Sequence, residues 1–295
     1  MNKQKAGYAE FAWDGISFTV PSAWHPAVFK HTRRFTRLAF DDDFTNRMNI
    51  EWVRPRREKD ITVSQKRYDT TARAYNEDAQ KTDILEGLPD EWIGTVYTMP
   101  EEIRMATAFY LSQEEDLFAH IIIYFGKHDT HESPVRVLRT VAGSFSVTVD
   151  GPVSWKLYDI DLQVPAGFTL IHTDIQTGRK LLGFQWNMRR LYVWYIGLAD
   201  IALKKNPAEI WTRDLLNTSR LIRGPVFYVD EDGSIAFRRP WYQRWGRFDE
   251  MARNCRQYSV SYIHDTEGNR LIVYVYNYRD AHDLEKLQTL RLLPA

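Results

Sequence analysis

Ile16-Ser-Phe-Thr-Val-Pro21-Ser-Ala-Trp24 returns later in the chain as Ile160-Asp-Leu-Gln-Val-Pro165-Ala-Gly-Phe168, at a constant offset of 144 residues. In both stretches apolar residues alternate with polar ones up to a Val-Pro pair. This is the period of a half-buried strand, ended where proline removes a ladder donor. The echo extends outward at the same offset from Leu38-Ala-Phe40 to Leu182-Gly-Phe184. It then slips by one residue, so that Ile50-Glu-Trp52 matches Val193-Trp-Tyr195. Farther on, Ile122-Ile-Tyr124 matches Ile272-Val-Tyr274, and Asp129-Thr-His131-Glu132 matches Asp280-Ala-His282-Asp283. A period this long means two copies of a whole domain and not a solenoid. The expected division is 1–150 and 151–295.

Punctuation between the echoes sets the expected elements. Phe35 to Phe40 and Met48 to Val53 flank the polar turn Asp41-Asp-Asp-Phe-Thr-Asn46, a hairpin repeated around Trp186-Asn-Met-Arg189. A helix follows in each copy. Tyr68, Ala72, Tyr75 and Ala79 recur at helical spacing in the first. In the second, Asn206 reads as an N-cap with Pro207 at the first helical position, and Gly224-Pro225 as the stop. Strands are expected at 92–98, 104–112 and 117–126, then at 226–230, 234–238, 257–264 and 270–278. Asp129 and Asp280 read as N-caps of a closing helix. The expected fold is α+β: two tandem repeats, each an antiparallel sheet flanked by helices in the order βββα-βββα.

This order, together with Phe18-Thr-Val-Pro-Ser-Ala-Trp24 and Leu162-Gln-Val-Pro-Ala-Gly-Phe168, resembles the PsbP-like fold. That fold is shared by the photosystem PsbP subunit, the Ran-binding Mog proteins, DcrB-type lipoproteins and the Eag chaperones of type VI secretion effectors. The resemblance implies a protein that binds other proteins and is not an enzyme. It transfers no functional residue.

The chain's 295 residues suit two domains, and its 44% hydrophobic and 26% charged residues suit a folded core. Net charge is zero, but residues 1–150 hold 19 Lys and Arg against 23 Asp and Glu, and residues 151–295 hold 20 against 16. The opposite signs favour docking between the halves and argue against general nucleic-acid or membrane-surface binding. A single cysteine, Cys255, excludes an intrachain disulfide and a Cys-cluster zinc site. Met1 to Tyr8 lacks the apolar stretch of a signal peptide, and no run reaches the ~20 apolar residues of a membrane span. The expected compartment is the cytoplasm.

Chemistry-bearing clusters are few. His128-Asp-Thr-His131-Glu132 gathers two imidazoles and two carboxylates, but the second copy keeps only Asp280, His282 and Asp283, so the shared part reads as a helix cap. No metal site and no cofactor are expected. Asp41-Asp42-Asp43 reads as a solvated hairpin tip. His25, His31 and His172 fall in loops after the first strand of each copy. There is no Gly-x-Ser-x-Gly elbow, no phosphate-binding glycine loop and no cysteine in a plausible triad. No catalytic residue is expected.

Arg238-Arg-Pro-Trp-Tyr-Gln-Arg-Trp-Gly-Arg247-Phe248 stands apart, with four arginines and four aromatics in eleven residues. The matching connection of the first copy is the acidic Met99-Pro-Glu-Glu-Ile103. Guanidinium groups recognise carboxylates or phosphates, and Arg and Trp are enriched at interface hot spots. This arm either docks on the acidic first half or binds a partner. Leu191-Tyr-Val-Trp-Tyr-Ile196 and Leu271-Ile-Val-Tyr-Val-Tyr276 are apolar at consecutive positions, so both faces of the sheet must be covered. Helices can cover one, and the other must meet the sister copy, a second subunit or a client, with packing between the two copies the first expectation.

The expectation is therefore a non-catalytic cytoplasmic adaptor or chaperone that shelters an apolar segment of a protein partner, such as a secretion effector. Its expected partner-binding residues are Trp194, Tyr274 and Tyr276 on the sheet, with Arg238, Arg239, Trp241, Arg244 and Trp245 at the rim. The alternative is a small-molecule sensor or enzyme with its pocket between the copies.

Overall fold

Strands β1 (Tyr8–Trp13) and β2 (Ile16–Pro21) form a hairpin that turns at Asp14-Gly15, both at positive φ. Asp-Gly is the dipeptide such a two-residue turn selects, because its twist matches that of the strands. Ile16, Phe18 and Val20 of β2 are buried, so the alternation in the sequence is an inward-facing stripe. The computed structural model describes residues 7–32, 35–53, 80–98, 104–112, 117–126, 129–130 and 132–292. It divides into two units: Met1–Val149 with Trp155–Tyr158, and Asp150–Ser154 with Asp159–Ala295.

The first unit continues with β3 (His25–His31), β4 (Phe35–Asp41), β5 (Asn46–Val53), β6 (Gln80–Ile84), β7 (Trp92–Thr98), β8 (Arg104–Ser112) and β9 (Leu117–Tyr124). They form one antiparallel sheet in the order β3-β4-β5-β9-β8-β7-β6. Helix α1 (Glu132–Ser144) buries Val135, Leu138, Val141 and Ala142 at helical spacing. Its last residue is tied to β2, where the Thr19 backbone N–H donates to Ser144 Oγ at 2.9 Å. Strands β10 (Ser146–Val147) and β11 (Val153–Leu157) follow, β10 pairing with β2 and Lys156 of β11 with Ala12 of β1. Phe11 and Phe18 meet Phe40 of β4 edge-on, at 5.7 and 6.2 Å between ring centroids, joining the hairpin to the large sheet.

The second unit contains β12 (Ile160–Val164), β13 (Thr169–Gln176), β14 (Arg179–Trp186), β15 (Arg189–Gly197), α2 (Ala199–Ala202), α3 (Ala208–Thr218), β16 (Val226–Val229) and β17 (Ile235–Arg238). A 3₁₀ turn (Trp241–Gln243), α4 (Phe248–Arg253), β18 (Gln257–Asp265), β19 (Arg270–Tyr278) and a 3₁₀ helix (Ala281–Thr289) complete it. Its sheet runs β13-β14-β15-β19-β18, all antiparallel, with β16-β17 a separate hairpin. Both sheet faces are covered. On one, Tyr192, Trp194, Leu271, Val273 and Val275 pack with Ala208 and Leu216 of α3 and Phe227 of β16. On the other, Tyr276 meets Phe168 at 6.1 Å, and the Tyr195 hydroxyl reaches the carbonyls of Asp161 (2.9 Å) and Leu292 (3.2 Å). Among the described residues no helix is long and apolar enough to cross a membrane.

The architecture is α+β and antiparallel, and it corrects several local expectations. The Val-Pro strand β2 is not the first strand of its unit: β1 precedes it, and β2 pairs with β1 and β10. His25, His31 and His172 lie in strands β3 and β13, not in loops. Helix α3 starts one residue late, with Pro207 at the cap position, and leaves the helical path at Ser219, before Gly224-Pro225. The last helix of the second unit is 3₁₀. Helix α1 begins at Glu132, three residues past Asp129, whose carboxylate accepts from Arg47 at 2.6 Å and from the Gly126 N–H at 2.7 Å. Asp42 at the hairpin tip accepts the N–H groups of Phe44 and Thr45, a local turn bond. The helix expected around Tyr68 to Ala79, His128, His131 and the acidic 99–103 connection lie outside the described residues.

Candidate functional site: an aromatic arm over an arginine-lined cavity

The connection from β17 to β18 is the arm. Its base is held by a buried carboxylate. Glu250, 1% exposed, accepts from both terminal nitrogens of Arg239 at 3.0 Å. It also accepts from the Arg247 backbone N–H at 2.7 Å and from the Tyr258 hydroxyl. Arg239 donates further to the Arg256 carbonyl at 3.0 Å and lies over the rings of Phe237 and Tyr258. A bidentate guanidinium–carboxylate pair shielded from water is strongly directional, so the ends of the arm are fixed to each other. Burial, reinforced by Glu250, pushes the Tyr258 phenol far above its ordinary range, so it stays protonated and donates. Gly246, at φ 86°, makes the turn into α4, where a Cβ would come within 3.0 Å of Glu250 Oε2. Only glycine serves there.

Beyond this clasp the arm is open to solvent. Trp241 is 88% exposed, Trp245 66% and Phe248 83%, and Tyr242 and Met251 are exposed beside them. Trp241 and Tyr242 meet edge-on at 5.9 Å, and Arg244 and Arg256 approach Trp245 at 6.0 and 5.9 Å. Single exposed apolar residues are ordinary, but five large ones within eleven positions concentrate exposed apolar area on one connection.

Under the arm lies a cavity of about 330 Å³, entirely within the second unit. Arg190 and Tyr192 of β15, Arg220 to Arg223 after α3, Arg247 to Glu250 and Arg253 of the arm, Tyr258 and Asn277 line it. Arg253 is 9% exposed, and its Nη1 donates to the Met188 carbonyl at 2.9 Å and to Asn277 Oδ1 at 2.7 Å. Asn277 in turn donates to the carbonyls of Cys255 and Gln257 at 3.1 Å. Asp249, more than half exposed, is the near carboxylate, 3.6 Å from Arg253 and 3.8 Å from Arg247. Cys255 is buried, and burial, partly offset by Arg253 and Arg189, pushes its thiol up, which disfavours a reactive thiolate.

The expected partner-binding residues separate into groups. Arg238, Trp241, Arg244 and Trp245 are exposed on the arm. Arg239 is drawn inside by Glu250, correcting its placement at the rim. Trp194 and Tyr276 are buried in the core of their own unit, under α3 and against Phe168, so neither belongs to an open sheet face; Tyr274 is half-buried. Arg190, Arg220, Arg223 and Arg253 escaped the sequence reading because they are scattered over 64 positions in three elements. The surplus of positive charge in the second half was their one trace.

No protein-family model matches the chain, and no curated protein matches it. Among solved structures, the Ran-binding protein Mog1p of Saccharomyces cerevisiae is similar over 48% of this chain and 96% of its own, at 10% identity and a TM-score of 0.35. Cyanobacterial PsbP of Synechocystis sp. PCC 6803 is similar over 50% and 96%, at 14% identity and 0.37. MucB of Pseudomonas aeruginosa, solved with MucA, is similar over 95% and 89%, at 9% identity and 0.20.

Proposed function

We propose that this chain is a non-catalytic adaptor of the cytoplasm that binds a protein partner through the arm of its second unit. The observation that carries the reading is the exposed aromatic group Trp241, Tyr242, Trp245 and Phe248 on a connection whose base is fastened by Arg239 and Glu250. Preorganised aromatic residues flanked by arginines are what hot spots are made of, since they bury large area for little lost entropy. In the chaperone version, the partner offers an apolar segment, such as that of a secretion effector, and the arm replaces the sheet as the working surface. We further read the two units as tandem copies of one PsbP-like domain. The 144-residue echo supports this, as does the strand order β3-β4-β5-β9-β8 beside β13-β14-β15-β19-β18.

The test is capture from the native host by wild type, by Trp241→Ala/Trp245→Ala, and by Phe44→Ala, which alters an exposed aromatic of the first unit. The adaptor reading expects one partner, retained by Phe44→Ala and lost by the tryptophan pair, with circular dichroism unchanged. Equal recovery by all three, or no specific protein, overturns it.

A further inference from the structure

We infer that the cavity under the arm is an anion-recognition site that takes the carboxylates of an acidic segment of the protein partner. The inference rests on the adaptor reading and names the chemistry of what is bound. Five arginines line the cavity: Arg190, Arg220, Arg223, Arg247 and Arg253. Its two carboxylates do not balance them. Glu250 is engaged by Arg239, Tyr258 and the Arg247 N–H, and exposed Asp249 is shared between Arg247 and Arg253. Arg190, Arg220 and Arg223 have no carboxylate within 4.0 Å among the described residues. Arg223 Nε donates only to the Arg220 carbonyl, at 2.8 Å.

A second observation points the same way. The Nε–H groups of Arg190 and Arg253 are buried and have no acceptor among the described residues. Buried donors are nearly always satisfied in folded proteins, and an oxyanion held between these two cavity-lining arginines is one acceptor that would satisfy them. The cavity's volume is larger than one small oxyanion needs. Its guanidinium groups run from buried Arg253 to exposed Arg220 and Arg223. Phe248, 83% exposed, is both part of the cavity lining and one of the arm's exposed aromatics. Spread positive charge joined to an apolar docking surface suits a polypeptide with Asp or Glu beside its apolar residues better than a free phosphate.

The probes are an end-capped tetraglutamate peptide, tetraglutamine and inorganic phosphate, each titrated calorimetrically into the full chain. Tetraglutamate is expected to bind saturably and tetraglutamine not at all. Arg220→Gln/Arg223→Gln changes only exposed side chains, so its fold is kept. It is expected to weaken tetraglutamate about tenfold or more, as the loss of charge-assisted hydrogen bonds implies. Asp249→Asn, which removes a competing carboxylate, is expected to tighten it. Phosphate that saturates the cavity in preference to tetraglutamate would overturn the inference, as would arginine variants that bind like wild type. Trp241→Ala/Trp245→Ala is expected to bind tetraglutamate unchanged. Failure of partner capture thus counts against the adaptor, and failure of this titration against the cavity.

Discussion

Glu250 shows how one buried carboxylate decides the behaviour of its neighbours. With Arg239, Tyr258 and the Arg247 N–H all directed at it, its removal strands a buried guanidinium. Breaking such a pair from one side costs about 3–5 kcal/mol. Glu250→Ala and Arg239→Ala should each lower urea stability by about that amount, and the double variant should lose much less than the sum. Exposed Arg244→Ala should leave stability unchanged within about 0.5 kcal/mol, so any effect on capture is direct. Asp283 makes a pH-dependent counterpart. Burial works to raise its pKa but is outweighed by Arg189, at 2.7 Å, and by the N–H groups of Arg279 and Asp280, so the carboxyl lies below its ordinary value. A depressed folded pKa gives stability that is present above the unfolded value, about 3.9, and lost as pH falls through the folded one. Asp283→Asn should therefore be less stable than wild type at neutral pH, with the gap closing in urea melts taken below pH 4. Neither role could be read locally: Glu250 lies 11 positions from Arg239, and Asp283 lies 94 from Arg189.

At the scale of elements, hairpins were legible because their signals are contiguous. The turn Asp41 to Asn46 and the strands 92–98 and 104–112 stand where alternation and polar breaks put them. Strands β3 and β13 were not legible. Each is an edge strand whose residues are mostly half-buried or exposed, so neither carries a clean apolar stripe, and Pro26 is tolerated because an edge needs fewer donors. The site was legible only as an arm, since a cavity assembled from β15, the loop after α3 and α4 has no local pattern. The joint between α3 and the β16-β17 hairpin is likewise non-local. Asn217 donates to the Phe227 carbonyl at 2.9 Å and accepts its N–H at 2.8 Å, acting as a strand neighbour for β16. Asn217→Ala removes both bonds and should cost about 1–3 kcal/mol. It should also speed hydrogen exchange at the Phe227 amide while amides in β15 and β19 stay protected. Uniform acceleration across the sheet would mean that the joint supports the whole unit and not the hairpin alone.

For the whole molecule, charge in the adaptor reading separates how a partner is found from how it is kept. Net charge is zero, so no long-range field steers association, although the second half carries a surplus of four positive charges. Attraction of an acidic segment must come from arginines grouped around one cavity, whose influence fades beyond a Debye length of about 8 Å at physiological salt. In the adaptor reading retention falls mainly to the aromatic arm, where a bound partner would exclude water from large rings. These contributions affect different rates. Raising salt from about 0.05 to 0.5 M should slow association by no more than about tenfold and leave dissociation nearly unchanged. Trp241→Ala/Trp245→Ala should speed dissociation by about two orders of magnitude, as expected for losing a hot-spot pair, and leave association within a few-fold. Arg220→Gln/Arg223→Gln should flatten the salt dependence of association. Surface plasmon resonance on the captured partner reads all three. A dissociation rate that climbs steeply with salt while ignoring the tryptophans would place the binding energy in the arginines, and the arm would then be only a rim.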